Sequence, residues 1–202
     1  MLNEFRLSRR SVVSGALALA ATTFLPLSAS ALTDKEASVL IGKVVDEVNR
    51  IINSGNSESV MLRDFEKMFA KYADVPIIAR SSLGIAWKSA SSKQRDAYVS
   101  AFRVYISRKY GRRFREFIGG KIVVTGAKKV KSGYLVYSMA HLKGSAPFTL
   151  DWQVSDKSGK DLMFNLYIEG ISLLATERTE IAAMLDKRKG NLDKLITDLK
   201  AM

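Results

Sequence analysis

The sequence predicts an α+β fold: an antiparallel β-meander of about four strands with helices packed on its apolar face, enclosing an apolar cavity. Three observations predict it. Apolar residues recur at helical spacing from residue 34 to residue 118, the period changes to two between 121 and 168, and helical spacing then returns. A chain of 202 residues with 47% apolar content is enough for one domain with its own core.

The elements follow in order. Thr33 and Asp34 cap a first helix over 34–53, with Glu36 in its first turn. Leu40, Val44, Val48, Ile51 and Ile52 form its single apolar stripe. A second helix over 58–73 carries Met61, Leu62, Phe65, Met68, Phe69 and Tyr72. Asp74-Val75-Pro76 stops it, and proline suits the first turn of a third helix over 76–87. Ser91 or Ser92 caps the longest helix, 92–118, which ends at Gly119-Gly120. Tyr98, Phe102, Ile106, Tyr110, Phe114 and Phe117, joined by Tyr105, give it an aromatic stripe.

Strands are predicted over 121–130, 133–143, 147–155 and 161–168. The last two alternate most clearly, with Phe148, Leu150, Trp152 and Val154 on one face of the third. Short polar connections such as Lys143-Gly144-Ser145 read as hairpin turns. Two helices, 172–187 and 190–200, close the chain, separated at Gly190-Asn191.

The first 31 residues read as an export signal and residues 32–202 as one domain. Arg6, Arg9 and Arg10 are followed by an Ala- and Leu-rich run and then by Ala29-Ser30-Ala31, the small-residue pattern cut by a signal peptidase. Ser8-Arg9-Arg10 matches the twin-arginine motif in part, with Val12 and Val13 where an aromatic residue and Leu usually stand. The ordinary secretory route and an uncleaved anchor are the alternatives. The expected compartment is the periplasm.

Composition removes whole classes of chemistry. There is no cysteine, so no disulfide framework, thiolate metal site or Cys nucleophile exists, and His141 is the only histidine. No phosphate-binding glycine loop, dinucleotide fingerprint or nucleophile elbow is present. His141, Asp151 and Glu169 are the only candidates for an enzyme working in an apolar cavity, and carboxylates on a polar sheet face are commonplace. No catalytic residue, metal ligand or cofactor is assigned.

Charge points to partners. Lysine and arginine outnumber acids by 32 to 20, a formal +12. That balance often marks nucleic-acid binding, but export argues against it, since the anionic surfaces of a bacterial envelope are lipid headgroups and acidic protein faces. Arg108, Lys109, Arg112, Arg113 and Arg115 fall within one short stretch opposite the aromatic stripe. They read either as a solvated helix face or as a docking patch for acidic partners or anionic surfaces.

The run from Phe69 to Arg80 containing Tyr72-Ala73-Asp74-Val75-Pro76, then Leu83-Gly84, Trp87, Gln94-Arg95, Phe102 and Tyr110, and the later run from Tyr167 to Leu174, together resemble the MlaC family. The resemblance covers about 36–200. It implies a soluble periplasmic carrier of the Mla phospholipid transport system, also called a toluene-tolerance protein. Such a carrier holds acyl chains inside, leaves the headgroup near solvent, and exchanges cargo with an outer-membrane lipoprotein complex and an inner-membrane ABC transporter. A branch of the family is associated with hopanoid biosynthesis, which makes a hopanoid or another sterol-like lipid the rival cargo. Two departures stand out: Asn165 where the family commonly has Asp, and no Trp near Asp161.

On this reading the pocket wall comprises Val75, Ile78, Leu83, Phe102, Tyr105, Ile106, Tyr110, Phe114 and Phe117 from the helices. Phe148, Leu150, Trp152, Val154, Leu166 and Ile168 supply the sheet side. Some of these are plain core, and composition alone does not sort them.

Overall fold

The computed structural model describes residues 32–202, with the side chains of Phe114 and Arg115 outside that description. The export-signal expectation for residues 1–31 therefore lies outside the described residues.

Helix α1 (Asp34–Ile52) opens on a capping box. Glu36 N–H donates to Thr33 Oγ1 at 3.2 Å and Thr33 N–H donates to Glu36 Oε2 at 2.9 Å. Helix α2 (Glu58–Tyr72) follows. At its end Asp74 caps α3 (Val75–Leu83) by accepting from Ile77 N–H, while Asp74 N–H donates to Met163 C=O at 2.8 Å. The Asp-Val-Pro break thus also pins the helix joint to the sheet.

The single helix expected over 76–87 is two: α3, then the one-turn α4 (Ala86–Ser89). Gly84 breaks it in the left-handed region, φ +61°, with the Arg178 guanidinium 3.4 Å from where a Cβ would stand. Helix α5 (Ser92–Arg113) starts on a second reciprocal cap, between Ser91 and Gln94. It tightens into a 3₁₀ turn at Phe114–Phe117 rather than staying α-helical to 118.

The sheet is an antiparallel meander in the order β1 (Lys121–Val130), β2 (Gly133–His141), β3 (Phe148–Ser155), β4 (Leu162–Ile168) and β5 (Ile171–Ser172). The two-residue β5 is a fifth strand beyond the four expected. Bulges interrupt register at Val124/Gly126 and at Gln153/Val154. Helix α6 (Leu173–Lys187) leaves β5 directly, capped by Ser172, and α7 (Leu192–Ala201) is capped by Asn191.

Two apolar cores result. One packs α1 and α2 on the sheet through Ile41, Val44, Val48, Ile51, Phe65, Val136, Leu150, Trp152 and Val154. The other joins α3, α5, α6 and α7 through Ala79, Leu83, Tyr98, Phe102, Ile181, Leu195 and Leu199. The buried Trp152 indole donates to Ser138 Oγ at 3.0 Å, and Ser138 donates on to Leu150 C=O, so the polar atoms of this inner sheet face are paired. Among the described residues, no helix is long and apolar enough to cross a membrane.

Candidate functional site

Between the two cores the packing does not close. An open pocket of about 350 Å³ lies there, within the size range of small-molecule sites. Its walls come from α1 (Val44, Val48), α2 (Phe65, Met68, Phe69), α3 (Ile78), α5 (Ile106, Ser107, Tyr110, Gly111), strands β3 and β4, and the start of α6 (Leu173, Leu174, Glu177). The lining is overwhelmingly apolar. It is an open hollow rather than a sealed chamber, and the exposed Arg113 and Glu116 stand among its lining residues.

Of the residues picked from the sequence, the structure brings Ile78, Ile106, Tyr110, Phe117, Phe148, Leu150, Trp152, Leu166 and Ile168 together on this pocket. It places others elsewhere. Leu83, Phe102 and Tyr105 are buried in the second core, Val154 is buried in the first, and Val75 is buried beside the Asp74 cap. The Phe114 side chain lies outside the description. The reason for the split is that α5 packs against several elements at once, α2, α3 and α7 among them. One aromatic stripe therefore serves two different neighbourhoods.

Sequence reasoning missed the α1 and α2 contribution, because Val44, Val48, Phe65 and Met68 read as the ordinary core face of an amphipathic helix. It also missed Glu177. The signal available was an acid at Glu177, four residues after Leu173 and four before Ile181, on the apolar side of a helix.

Glu177 is 3% exposed and organises the polar part of the site. Its Oε1 accepts from Lys109 Nζ at 2.7 Å and from the Tyr110 hydroxyl at 2.5 Å. Lys109 also donates to Glu180, and Tyr105 donates to Glu180 at 3.3 Å. Burial pulls the Lys109 ammonium down, but its hydrogen bonds to Glu177 and Glu180 outweigh that and hold it above the ordinary lysine value. Burial, then the charge of Glu177, pushes the Tyr105 phenol up to about 12. Burial and the bond to Glu177 push Tyr110 up as well.

This takes Lys109 out of the basic face: it is an internal ion-pair partner. Arg108 donates to the Lys200 carbonyl at 3.1 Å, and Arg112 sits 3.6 Å from Glu58. Arg113 is exposed and has no ion-pair partner among the described residues, and the Arg115 side chain lies outside the description.

The candidates for an enzyme do not line the pocket. His141 ends β2 in an exposed position. Asp151 is paired in register with Tyr137 and Tyr167 and lies away from the pocket, its carboxyl raised by burial and then by the charge of Glu169. Glu169 is a turn residue at φ +50° whose carboxylate accepts from Thr149 N–H and Oγ1. Among the described residues no cluster of His and acidic side chains is arranged to hold a metal.

The solved structure of a phospholipid-binding protein from Ralstonia solanacearum, in complex with a phospholipid, shares the fold. It superposes with a TM-score of 0.65 at 19% identity, over 81% of this chain and 98% of that one. The intermembrane phospholipid transport system binding protein MlaC of Haemophilus influenzae is 22% identical over 189 residues, covering 89% of this chain and 87% of its own. Both relatives are named for binding rather than for a reaction. The family described as MlaC protein matches residues 42–201. The chain belongs to the MlaC family.

Proposed function

We propose that this protein is a periplasmic lipid carrier that takes the acyl part of a phospholipid into the pocket between its two cores. The observation that carries this reading is the pocket itself: an open apolar hollow walled by residues of both cores. An acyl chain of about 16 carbons resists water by roughly 12 kcal/mol, at about 0.8 kcal/mol per methylene, so it does not cross an aqueous gap unsheltered at a useful rate. A carrier needs a greasy wall and a mouth, and both are present here.

The wall is formed by Ile78, Ile106, Tyr110, Phe117, Phe148, Leu150, Trp152, Leu166 and Ile168, with Val44, Val48, Phe65, Met68 and Leu174 added. The exposed Arg113 stands by the lipid headgroup. With Arg108 and Arg112 it gives the end of α5 a positive face suited to anionic membrane surfaces and to acidic faces of outer-membrane and inner-membrane transport components. Residues 1–31 export the chain to the periplasm.

Native mass spectrometry of protein purified from a bacterial envelope tests the reading. The expected result is a bound lipid mass that exchanges with vesicle lipid after delipidation. Well-folded, delipidated protein that takes up no phospholipid from vesicles overturns it.

A further inference from the structure

The corner between α3 and α4 presents one greasy tip on a basic mount. Ile85 is 81% exposed, the most of any large apolar side chain among the described residues. One exposed isoleucine is ordinary by itself, but its mounting is not. Trp87 N–H donates to Gly84 C=O at 3.3 Å and Lys88 N–H donates to Ile85 C=O at 3.0 Å, which closes a tight turn. From α5, Arg95 donates through Nε to Trp87 C=O at 3.0 Å and through Nη2 to Lys88 C=O at 3.2 Å, with its guanidinium 5.5 Å from the Trp87 ring centre. The tip is therefore held in place before any partner arrives.

The charges around it have one sign. From Val75 to Arg95 the chain carries Arg80, Lys88, Lys93 and Arg95 and no acid. Arg80 and Lys88 are exposed, and their side chains make no hydrogen bond or ion pair among the described residues. The exposed Arg178 of α6 stands beside Gly84 and adds a third outward cation. Acids nearby are engaged or set apart: Glu177 and Glu180 bond Lys109, Asp193 accepts from Gln94, and Asp96 lies a turn into α5.

From this arrangement we infer that the α3–α4 corner is a contact for an anionic lipid bilayer, with Ile85 entering the headgroup layer and Arg80, Lys88 and Arg178 lying against the phosphates. A bilayer is anionic at its surface and greasy just beneath, which matches cations around a protruding apolar tip. It also needs no shaped socket, whereas a protein partner would have to build one around a single side chain. The inner sides of α3 and α6, at Ile78 and Leu174, wall the pocket, so this contact brings a pocket wall next to the membrane. The inference adds a membrane contact to the carrier reading and does not depend on it.

Co-sedimentation of the purified protein with vesicles tests this, using phosphatidylethanolamine with phosphatidylglycerol in one arm and phosphatidylcholine alone in the other. The expected result is binding to the anionic vesicles roughly tenfold tighter or more, weakening as salt rises. A cation at an anionic surface is worth about fivefold, so Arg80→Gln/Lys88→Gln should weaken binding roughly 25-fold. Ile85→Ser should weaken it about tenfold. Lys128→Gln/Lys129→Gln removes the same charge from exposed positions on β1 and should weaken it less than about threefold. All five side chains are exposed, so the unfolding midpoints should match the wild type. Equal binding to the two kinds of vesicle overturns the corner contact. So does an equal loss in the β1 variant, which would make the effect one of net charge. Binding unaltered in Ile85→Ser or in Arg80→Gln/Lys88→Gln also overturns it and leaves the corner to a protein partner. Lipid uptake measured alongside keeps the two readings apart. Corner-dependent vesicle binding without uptake overturns the carrier reading alone, and uptake with no dependence on the corner overturns the corner contact alone.

Discussion

Asn165 shows how one side chain ties several elements together. Its Nδ2 donates to Gln153 Oε1 and to Ser172 Oγ, each at 3.0 Å, while its Oδ1 accepts from Leu174 N–H at 3.0 Å. It therefore joins β3, β4 and the start of α6 at the edge of the pocket. Aspartate keeps the accepting role but donates nothing and sets a negative charge against the Gln153 oxygen. Asn165→Asp should lower stability by about 1 kcal/mol, read as a lower urea midpoint, and the loss should be smaller in a Gln153→Ala background. Phe102 and Ile78 make a second contrast. Phe102 is wholly buried in the second core, so Phe102→Ala should destabilise by about 3–5 kcal/mol. Ile78 is half-buried on the pocket, so Ile78→Trp should fill the hollow and lower lipid uptake roughly tenfold, equivalent to about 1.4 kcal/mol, with little change in the unfolding midpoint. Unaltered uptake by that variant would place the lipid elsewhere.

At the scale of elements, the turn between β4 and β5 decides how α6 is aimed. Glu169 and Gly170 both have positive φ, 50° and 76°, the conformation of a two-residue hairpin turn that follows the sheet's twist. A Cβ on Gly170 meets nothing within 4 Å, so Gly170→Ala isolates backbone strain and should lower stability by about 1 kcal/mol. A urea midpoint equal to the wild type would mean the turn relaxes freely. This is also where the legibility of the fold divides. The main helices and four of the strands follow periodicity and capping residues, both local, and Thr33, Asp74, Ser91 and Asn191 act as caps. The break at Gly84 was not legible, because an isolated glycine is tolerated in a helical pattern. Its positive φ sets it beside a tertiary neighbour, Arg178 of α6, far along the chain, which no local pattern announces. The two-residue β5 was missed for a related reason: its existence depends on pairing with β4, not on any pattern of its own.

At the scale of the whole molecule, the candidate site is legible only as an excess of apolar side chains. Ile106 and Phe102 stand on one stripe at helical spacing, yet one faces the hollow and the other a filled core, and only the placement of α2, α3 and α7 around α5 separates them. The same crowding drew Lys109 inward and gave the protein a buried polar cluster whose titration sets its behaviour in alkali. Tyr98, Tyr105, Tyr110 and Lys109 all ionise at higher pH in the folded protein than their ordinary values of 10.0 for tyrosine and 10.5 for lysine. For each, the folded state holds its proton after the unfolded chain has released it. Stability from these groups is therefore complete below about pH 10 and falls as the pH rises through 10 toward 12, the value reached by Tyr105. The urea midpoint should hold steady from pH 8 to pH 9.5 and then drop steeply. In Tyr105→Phe/Tyr110→Phe the drop should be shallower, because two of the titrating phenols are gone. A wild-type midpoint as high at pH 11.5 as at pH 9, or a double variant that falls as steeply as the wild type, would mean that the cluster around Glu177 does not hold these protons in the folded state.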